Sequence, residues 1–284
     1  MGLNKLKAHI ENIALHHTIF DLPFAYMGAF LAAGGFPDVW VLLWITLAIT
    51  GARSAALAID NLVDLKYDRV HPRFTRRPMV TGEVQPWEAK LLIAVSLLVC
   101  IFAVYKLPPI CIKLLPLAAF PFVIYPFMKR ITFACHAVLG LSIAMAPAGG
   151  WVAVRASIDY EMIVLCAAVG IWIAAFDAVY GAQDEKFDRE HGLHSLATAM
   201  GAEGAMRLAK VFHVVCIGCF IWLGVIMNLA WPYYLGVAVA AVTLVYQHSL
   251  LKPNDFHNLT QMYFMRNGIV SVVIFLCTCV SFYI

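Results

Sequence analysis

The sequence predicts an all-α protein that crosses a membrane nine times. Of its 284 residues, 62% are hydrophobic and only 13% are charged, and the mean hydropathy is +0.81. A soluble globular domain carries about 25% charged residues, so this composition indicates a polytopic membrane protein. A spanning helix needs about 20 largely apolar residues. The candidate spans are 18–34, 39–60, 88–106, 110–127, 133–154, 160–182, 206–228, 231–250 and 264–284.

Turn-forming residues support the order of these spans. Gly34 and Gly35 end the first span, which is the weakest of the nine because it holds an acidic residue near its start and a proline inside. Pro108 and Pro109 separate the third span from the fourth, and Pro232 separates the seventh from the eighth. Since proline disfavours helix at the residue before it, these positions predict breaks between helices.

The distribution of Lys and Arg predicts which side of the membrane each loop faces. Nine spans place the N-terminus and three long polar connections, 61–87, 183–205 and 251–263, on one side. The basic residues that stand out on this side are Lys5, Lys7, Lys66, Arg69, Arg73, Arg76, Arg77, Lys129, Arg130, Lys186 and Arg189. The opposite side keeps few basic residues. Because cytoplasmic loops carry an excess of Lys and Arg, we expect the basic side to be cytoplasmic.

Two clusters of carboxylates lie at the ends of apolar spans, one in IDNLVDLKYD and one in YGAQDEKFD. Their members are Asp60, Asn61, Asp64, Asp68, Asp184 and Asp188. Charge at the end of a membrane helix is costly unless it has a function or a partner. Spacing of four residues places each set along one face of a helix. Two such sets, far apart in sequence, predict one site for divalent metal and phosphate that the fold assembles.

The chemistry of these residues favours magnesium. Mg²⁺ binds hard oxygen ligands, keeps several waters and commonly bridges one or two carboxylates to substrate phosphates. Nearby Arg and Lys side chains supply cations for diphosphate oxygens, and Arg can bind two oxygens at once. The histidines of the second loop do not show the ligand spacing typical of zinc.

Three further polar side chains leave two interpretations open. Arg53 lies two helical turns before Asp60 and is expected on the same side, where it contacts substrate or forms a structural ion pair with an acidic neighbour. Asp177 either supports the site or bonds a neighbouring helix. His194 is expected to contact phosphate or to cap a helix.

The two clusters resemble the paired aspartate-rich motifs of the UbiA family of intramembrane aromatic prenyltransferases. RSAALAIDNLVDLKYDRVHPRFTRRPMVTG resembles the first motif with its Arg-rich loop, and FDAVYGAQDEKFDREHGLHSL resembles the second. YPFMKRITF and APAGGW are similar to the region of the fourth and fifth spans. The similarity covers most of residues 20–200, and the last three spans match mainly in hydropathy, plus RNG at 266–268.

Two positions depart from the family pattern. The family has Asn before Asp at the start of the first motif, whereas this chain has Asp60 before Asn61, which leaves open which of the two binds metal. Tyr180 and Gln183 stand where some members carry further acids, so the second metal set is expected to be smaller.

The resemblance implies a single domain, 1–284, of nine transmembrane helices around a central cavity that cytoplasmic-side loops cap. It implies Mg²⁺, a polyprenyl diphosphate donor, an aromatic acceptor and membrane lipid as partners, and no nucleic acid. Asp60, Asn61, Asp64 and Asp68 are assigned to one Mg²⁺, and Asp184 and Asp188 to another. The catalytic set is Asp64, Asp68, Asp184 and Asp188. The substrate-binding set is Arg53, Arg73, Arg77, Tyr125, Lys129, Arg130, Tyr180 and His194.

The reaction that the resemblance implies is carbon–carbon bond formation. Metal and cations stabilise the departing diphosphate, the allylic C–O bond breaks, and an electron-rich ring attacks the prenyl carbon. Asp184 or Asp188 is a candidate to deprotonate a phenolic acceptor. The expected location is the inner membrane of a bacterium, with the active site facing the cytoplasm.

The acceptor stays open between several classes. We expect 4-hydroxybenzoate, for ubiquinone-type synthesis. The GLHS sequence at 192–195 and Gly-Gly-Trp at 149–151 resemble instead the branch that prenylates an aminofutalosine-type acceptor for menaquinone. Dihydroxynaphthoate, haem, chlorophyllide and glycerol-phosphate acceptors are less favoured, and motif spacing does not separate these classes.

A secondary transporter is the alternative from a different functional class. Transporters place ionisable groups near the midplane of the membrane on broken helices. Here most charges collect at one face, beside basic loops, which favours the enzyme.

Overall fold

The computed structural model describes residues 2–14, 18–251, 256 and 261–284, and these residues form helices without β-strands. The helices are α1 (Gly2–Asn12), α2 (Thr18–Ala33), α3 (Val39–Asp68), α4 (Pro78–Thr81), α5 (Pro86–Tyr105), α6 (Pro109–Met128), α7 (Cys135–Arg155), α8 (Tyr160–Gly181), α9 (Glu185–Glu190), α10 (Leu196–Ile226), α11 (Trp231–Leu250) and α12 (Gln261–Ser281).

The first acidic cluster lies on α3, which is longer than the sequence predicted. The helix begins after the N-cap Asp38, whose carboxylate accepts a hydrogen bond from the Trp40 backbone N–H, with N and Oδ1 2.8 Å apart. It continues eight residues beyond the expected boundary at 60 and ends at Asp68, because Pro72 disfavours helix at His71. The part expected to be loop is therefore two helical turns that hold the cluster on one rigid face.

The second cluster lies where α8 gives way to shorter elements. A 3₁₀ turn (Ala182–Asp184) follows α8 and leads directly into α9. The two carboxylates thus sit on different elements and not along one continuous helix. The loop 183–205 is also shorter than expected, because Ser195 caps α10 and its hydroxyl accepts the Thr198 amide at 3.2 Å. A kink in α10 falls at Gly201, where φ is 77°.

Small residues bring the helices together. A Cβ added to Gly150 of α7 would lie 2.0 Å from the carbonyl oxygen of Ala25 in α2, and one on Gly28 of α2 would lie 2.2 Å from the carbonyl oxygen of Pro147. The backbones of α2 and α7 therefore touch, as is typical of membrane helices, whose association depends on close packing. Buried aromatic side chains such as Trp172 fill the core beside this contact.

Six helical segments within the described residues are long and apolar enough to cross a membrane. They are α3, α5, α6, α7, α8 continued through α9, and α10. The other three expected spans correspond in position to α2, α11 and α12. The all-helical fold is confirmed, and the count of nine spans stays a prediction.

Candidate active site

The two acidic clusters meet at one cavity of about 140 Å³. It lies between the end of α3, the end of α6 and the α8–α9 junction. Six carboxylates line it: those of Asp60, Asp64, Asp68, Asp184 and Asp188 from the two clusters, and that of Asp177. The fold thus brings together two motifs that more than 100 residues separate in the chain.

Arginines neutralise two carboxylates of the first cluster. Arg130 donates to Asp64 at 2.7 Å, and Arg77 donates to Asp68 at 2.5 Å. Asn61 lies beside these pairs without lining the cavity: its amide nitrogen donates to the Asn12 carbonyl oxygen at 2.5 Å, and its oxygen accepts from Arg77 at 3.3 Å. Asp60 does line the cavity, which makes it the better candidate metal ligand of this adjacent pair.

Cations also neutralise the second cluster. Arg73 forms an ion pair with Asp184, and His71 Nε2 lies 3.3 Å from the same carboxylate. Burial lowers the pKa of His71 below its usual value of 6.5, so the ring is neutral at neutral pH. Asp188 is 2% exposed, and its nearest cation is Lys129, at 3.6 Å.

The environment of Lys129 keeps its ammonium charged. Burial acts to lower the pKa of Lys129, but the carboxylates around it, those of Asp188, Asp177 and Asp184, outweigh burial, so the pKa is raised above 10.5. The residue lies just beyond the end of α6, at the level of the acidic clusters. A permanently charged ammonium at this position suits a contact with diphosphate.

A stack of rings closes the loop after α3 over the cavity. The His71 ring lies 4.4 Å from the Phe74 ring and 4.1 Å from the Phe187 ring of α9, centroid to centroid. The Arg77 guanidinium lies 3.8 Å from the Phe74 ring centroid, within the range of a cation–π contact. The stack and the ion pairs hold loop residues 69–77 against α9. The sequence analysis missed these rings, since no motif spacing marks them.

The deeper wall of the cavity includes Tyr125, Tyr180 and Asp177. Asp177 also bonds a neighbouring helix: its Oδ2 lies 2.7 Å from Nδ1 of His136 on α7. Asp177 therefore both lines the cavity and bonds a neighbouring helix, the two roles that were left open for it. His136 was missed because the contact spans 41 residues of sequence.

Three predicted substrate-binding residues are outside the cavity lining. One of them, Arg73, still adjoins the cavity through its ion pair with Asp184. Arg53 forms an ion pair with Asp21 of α2, the structural alternative considered for it, and this pair links α2 to α3. The side chain of His194 is exposed, while its backbone amide donates to the Lys129 carbonyl oxygen at 2.6 Å. The positions of Arg53 and His194 do not support direct contact with a ligand in this cavity.

The donor set fits magnesium. Among the described residues, no three His, Cys, Asp or Glu side chains form a ready-made metal site. Magnesium does not require one, because substrate phosphates and water complete its coordination. The cavity offers carboxylate oxygens from both clusters, and the buried Oδ2 of Asp188 has no hydrogen-bond partner within the described part of the chain. Lys129 Nζ lies 3.6 Å from this oxygen, beyond hydrogen-bond distance, so the oxygen can still bind a metal ion.

Comparison with known proteins decides the family. Residues 22–269 match the model of the UbiA prenyltransferase family. The chain belongs to this family. Among curated UbiA relatives, the 4-hydroxybenzoate octaprenyltransferase of Methylobacillus flagellatus is 30% identical over 260 residues, which cover 90% of this chain and 86% of that protein.

Solved UbiA structures share the fold. The apo structure of a UbiA homolog from Aeropyrum pernix K1 has a TM-score of 0.84 and 30% identity, and the match covers 94% of this chain and 98% of that one. A UbiA homolog from Archaeoglobus fulgidus, bound to GPP and Mg²⁺, has a TM-score of 0.70 at 17% identity, with 98% and 100% covered.

The UbiA assignment confirms three expectations. The protein is a prenyltransferase, its fold is the all-helical UbiA fold, and it is an integral membrane protein. The assignment decides against the secondary transporter.

Proposed function

We propose that this UbiA protein transfers a polyprenyl group from a polyprenyl diphosphate to 4-hydroxybenzoate in a Mg²⁺-dependent reaction of quinone synthesis. The observation that carries the proposal is the cavity in which both acidic clusters meet, with cations paired to four of their carboxylates. The name of the Methylobacillus flagellatus relative supports this acceptor, and the GPP and Mg²⁺ in the Archaeoglobus fulgidus homologue support the donor and the metal.

The charges of the cavity suit this pair of ligands. Asp60, Asp64 and Asp68 would hold Mg²⁺ from one side, and Asp184 and Asp188 from the other. When bound, the metal supplies a Lewis acid that stabilises negative charge on the leaving diphosphate.

Four cations at this cavity suit the diphosphate: three line it, and Arg73 adjoins it through Asp184. Arg73, Arg77, Lys129 and Arg130 each pair with a cavity carboxylate. In the loaded site these cations would turn to diphosphate oxygens or to the acceptor carboxylate. Fixed positive groups aimed at the leaving group stabilise the transition state without reorganisation.

The position of the cavity suits a lipid donor. It opens where apolar helices end and basic loops begin. The prenyl chain can therefore lie among apolar side chains while its charged end reaches the carboxylates of the two clusters. These carboxylates form the acidic rim of the cavity. We propose that this rim faces the cytoplasm and that the protein resides in a bacterial inner membrane, since the basic loops collect on the same side.

The test is a panel of acceptors. Purified protein in lipid nanodiscs receives geranyl diphosphate, Mg²⁺ and 4-hydroxybenzoate, dihydroxynaphthoate or an aminofutalosine-type acceptor, and mass spectrometry reports the products. We expect geranylated 4-hydroxybenzoate, and none after chelation of Mg²⁺. Product from another acceptor alone would overturn the acceptor assignment, and no product from any acceptor would overturn the proposal.

Variants test the metal assignment in the same assay. Asp64→Ala and Asp184→Ala are expected to abolish product while the protein still inserts. Asp38→Asn is the matched control, because this exposed carboxylate caps the opposite end of α3. Normal turnover by either cavity variant would refute the metal assignment.

A further inference from the structure

Asp177 occupies a deeper level of the cavity than the acidic clusters. It lies on α8, two turns before Asp184, which at 1.5 Å per residue is about 10 Å further from the rim. It lines the cavity together with Tyr125, which likewise precedes the rim residue Lys129 by one turn. The inner part of the cavity therefore has a carboxylate of its own.

His136 holds Asp177 in a defined state. The His136 ring is 2% exposed, and its Nδ1 lies 2.7 Å from Asp177 Oδ2. Its Nε2 lies 3.3 Å from the backbone amide of Leu196, the first residue of α10, which donates to it. An accepting Nε2 places the ring proton on Nδ1. His136 therefore donates to Asp177 and leaves that carboxylate as an acceptor.

The packing around His136 leaves its ring little freedom. A Cβ on Gly181 of α8 would lie 3.2 Å from His136 Cε1, so the backbone of α8 packs closely against the ring. The contacts of this one ring join α7, α8 and the start of α10. A side chain locked in this way fixes the orientation of the group that it bonds.

Asp177 differs from the carboxylates at the rim. Asp184 is paired with Arg73 and Asp188 with Lys129. Within the described residues, the side chain that bonds Asp177 is His136 alone, and in the tautomer derived above its ring carries no charge. The other titratable side chains that face Asp177 are Tyr125 and Lys129 from the α6 side and Tyr263 from α12.

We propose that Asp177 binds the hydroxyl group of a phenolic acceptor and takes its proton, and that His136 is the positioning residue for this carboxylate. The inference rests on the proposed function. It assigns the role of base to the inner carboxylate, whereas Asp184 and Asp188 are held by rim cations and suit the metal.

The step balances without a further reactant. The phenolic O–H bond breaks, its electron pair stays on oxygen, and the proton bonds to the Asp177 carboxylate. The ring carbon ortho to the phenolic oxygen forms a bond to the prenyl carbon. At the same time the allylic C–O bond breaks, and its electron pair leaves with diphosphate. The ring proton passes to water, aromaticity returns, and Asp177 gives its proton back to the phenolic oxygen.

The first test is Asp177→Asn, which keeps the size of the side chain and removes the base. We expect kcat with 4-hydroxybenzoate to fall about 100-fold or more, with the KM for geranyl diphosphate unchanged. The defect should shrink about tenfold per pH unit up to the pKa of the phenol, because the acceptor then arrives ionised. It should also shrink for a ring-fluorinated, more acidic 4-hydroxybenzoate. Asp64→Ala is the control. Because this variant loses a metal ligand, neither higher pH nor a more acidic acceptor should restore its activity.

The second test separates positioning from folding. In His136→Asn the side-chain amide nitrogen occupies the place of Nδ1 and can donate to Asp177. This variant should recover at least about a tenth of wild-type kcat, whereas His136→Leu should resemble Asp177→Asn, including its rescue at high pH. Equal defects in both His136 variants without pH rescue would overturn the positioning role.

The outcomes distinguish this inference from the function on which it rests. Wild-type protein that prenylates no phenol overturns the proposed function. Active wild-type protein together with an Asp177→Asn variant of near-normal rate, or with a defect independent of pH and of acceptor acidity, overturns the inference alone.

Discussion

Replacing Asp60 by Asn should stabilise the ligand-free protein while it abolishes the response to magnesium. Asp60 lines the cavity and, among the described residues, has no ion-pair partner. It faces the charge of Asp64 one helical turn away, where side chains lie about 5–6 Å apart. Two negative charges at about 6 Å repel by about 3 kcal/mol at an effective dielectric constant of about 20.

The net effect is smaller, because Arg77 and Lys129 attract the same carboxylate. We therefore expect Asp60→Asn to raise the free energy of unfolding by about 1–2 kcal/mol in mildly alkaline buffer with a chelator. For a chain of this size the gain corresponds to about 2–8 °C in Tm.

Thermal unfolding followed by intrinsic fluorescence in detergent measures both effects. Mg²⁺ with geranyl diphosphate should stabilise wild-type protein by about 2.7 kcal/mol at 100 times Kd, and Asp60→Asn should lose this gain. Asp188→Asn is the matched comparison, because it leaves the half-buried Lys129 ammonium without its nearest carboxylate and should lower Tm. A lower Tm for Asp60→Asn, or a retained response to the ligands, would refute the reasoning.

Two further predictions concern packing and pH. Gly150→Ala should destabilise the protein by about 1–3 kcal/mol or more, because the new Cβ meets the Ala25 carbonyl oxygen, while Gly149→Ala, with no atom within 4 Å, should be neutral; size-exclusion chromatography and Tm report the difference. Hydrogen bonds from Trp151 and a neighbouring serine hold the pKa of Asp159 below its usual 3.8. The wild-type protein should therefore lose stability as the pH falls through that lowered pKa, and Asp159→Asn should lack this part of the acid dependence in Tm measured against pH.

The acidic rim could be predicted from the sequence because the aspartates that form it lie close together along the chain, at regular spacing. Asp60, Asp64 and Asp68 repeat at the helical period, and the chemistry of carboxylates beside arginines points to metal and phosphate. The structure places all three on one helix at one cavity. The second cluster was located in the same way, although Asp184 lies in a 3₁₀ turn and not on a continuing helix.

Contacts between distant residues could not be predicted from spacing. Hydropathy placed Arg53 on a span but could not reveal that Asp21 of another helix pairs with it. His136 carries no motif of its own, and its role follows only from Asp177 and the start of α10 lying beside it. Hydropathy also placed the end of α3 and the start of α10 inside the true helices. Capping and packing keep the polar segments at these two ends helical.

The most direct test of the central claim is to locate the metal. An experimental structure with Mn²⁺ and a non-reactive geranyl thiodiphosphate would show manganese by anomalous scattering. The account predicts Mn²⁺ bound by carboxylates of both clusters, including Asp64 and Asp184, with the diphosphate between them. Manganese outside this cavity, or bound by one cluster while the diphosphate lies elsewhere, would contradict the account.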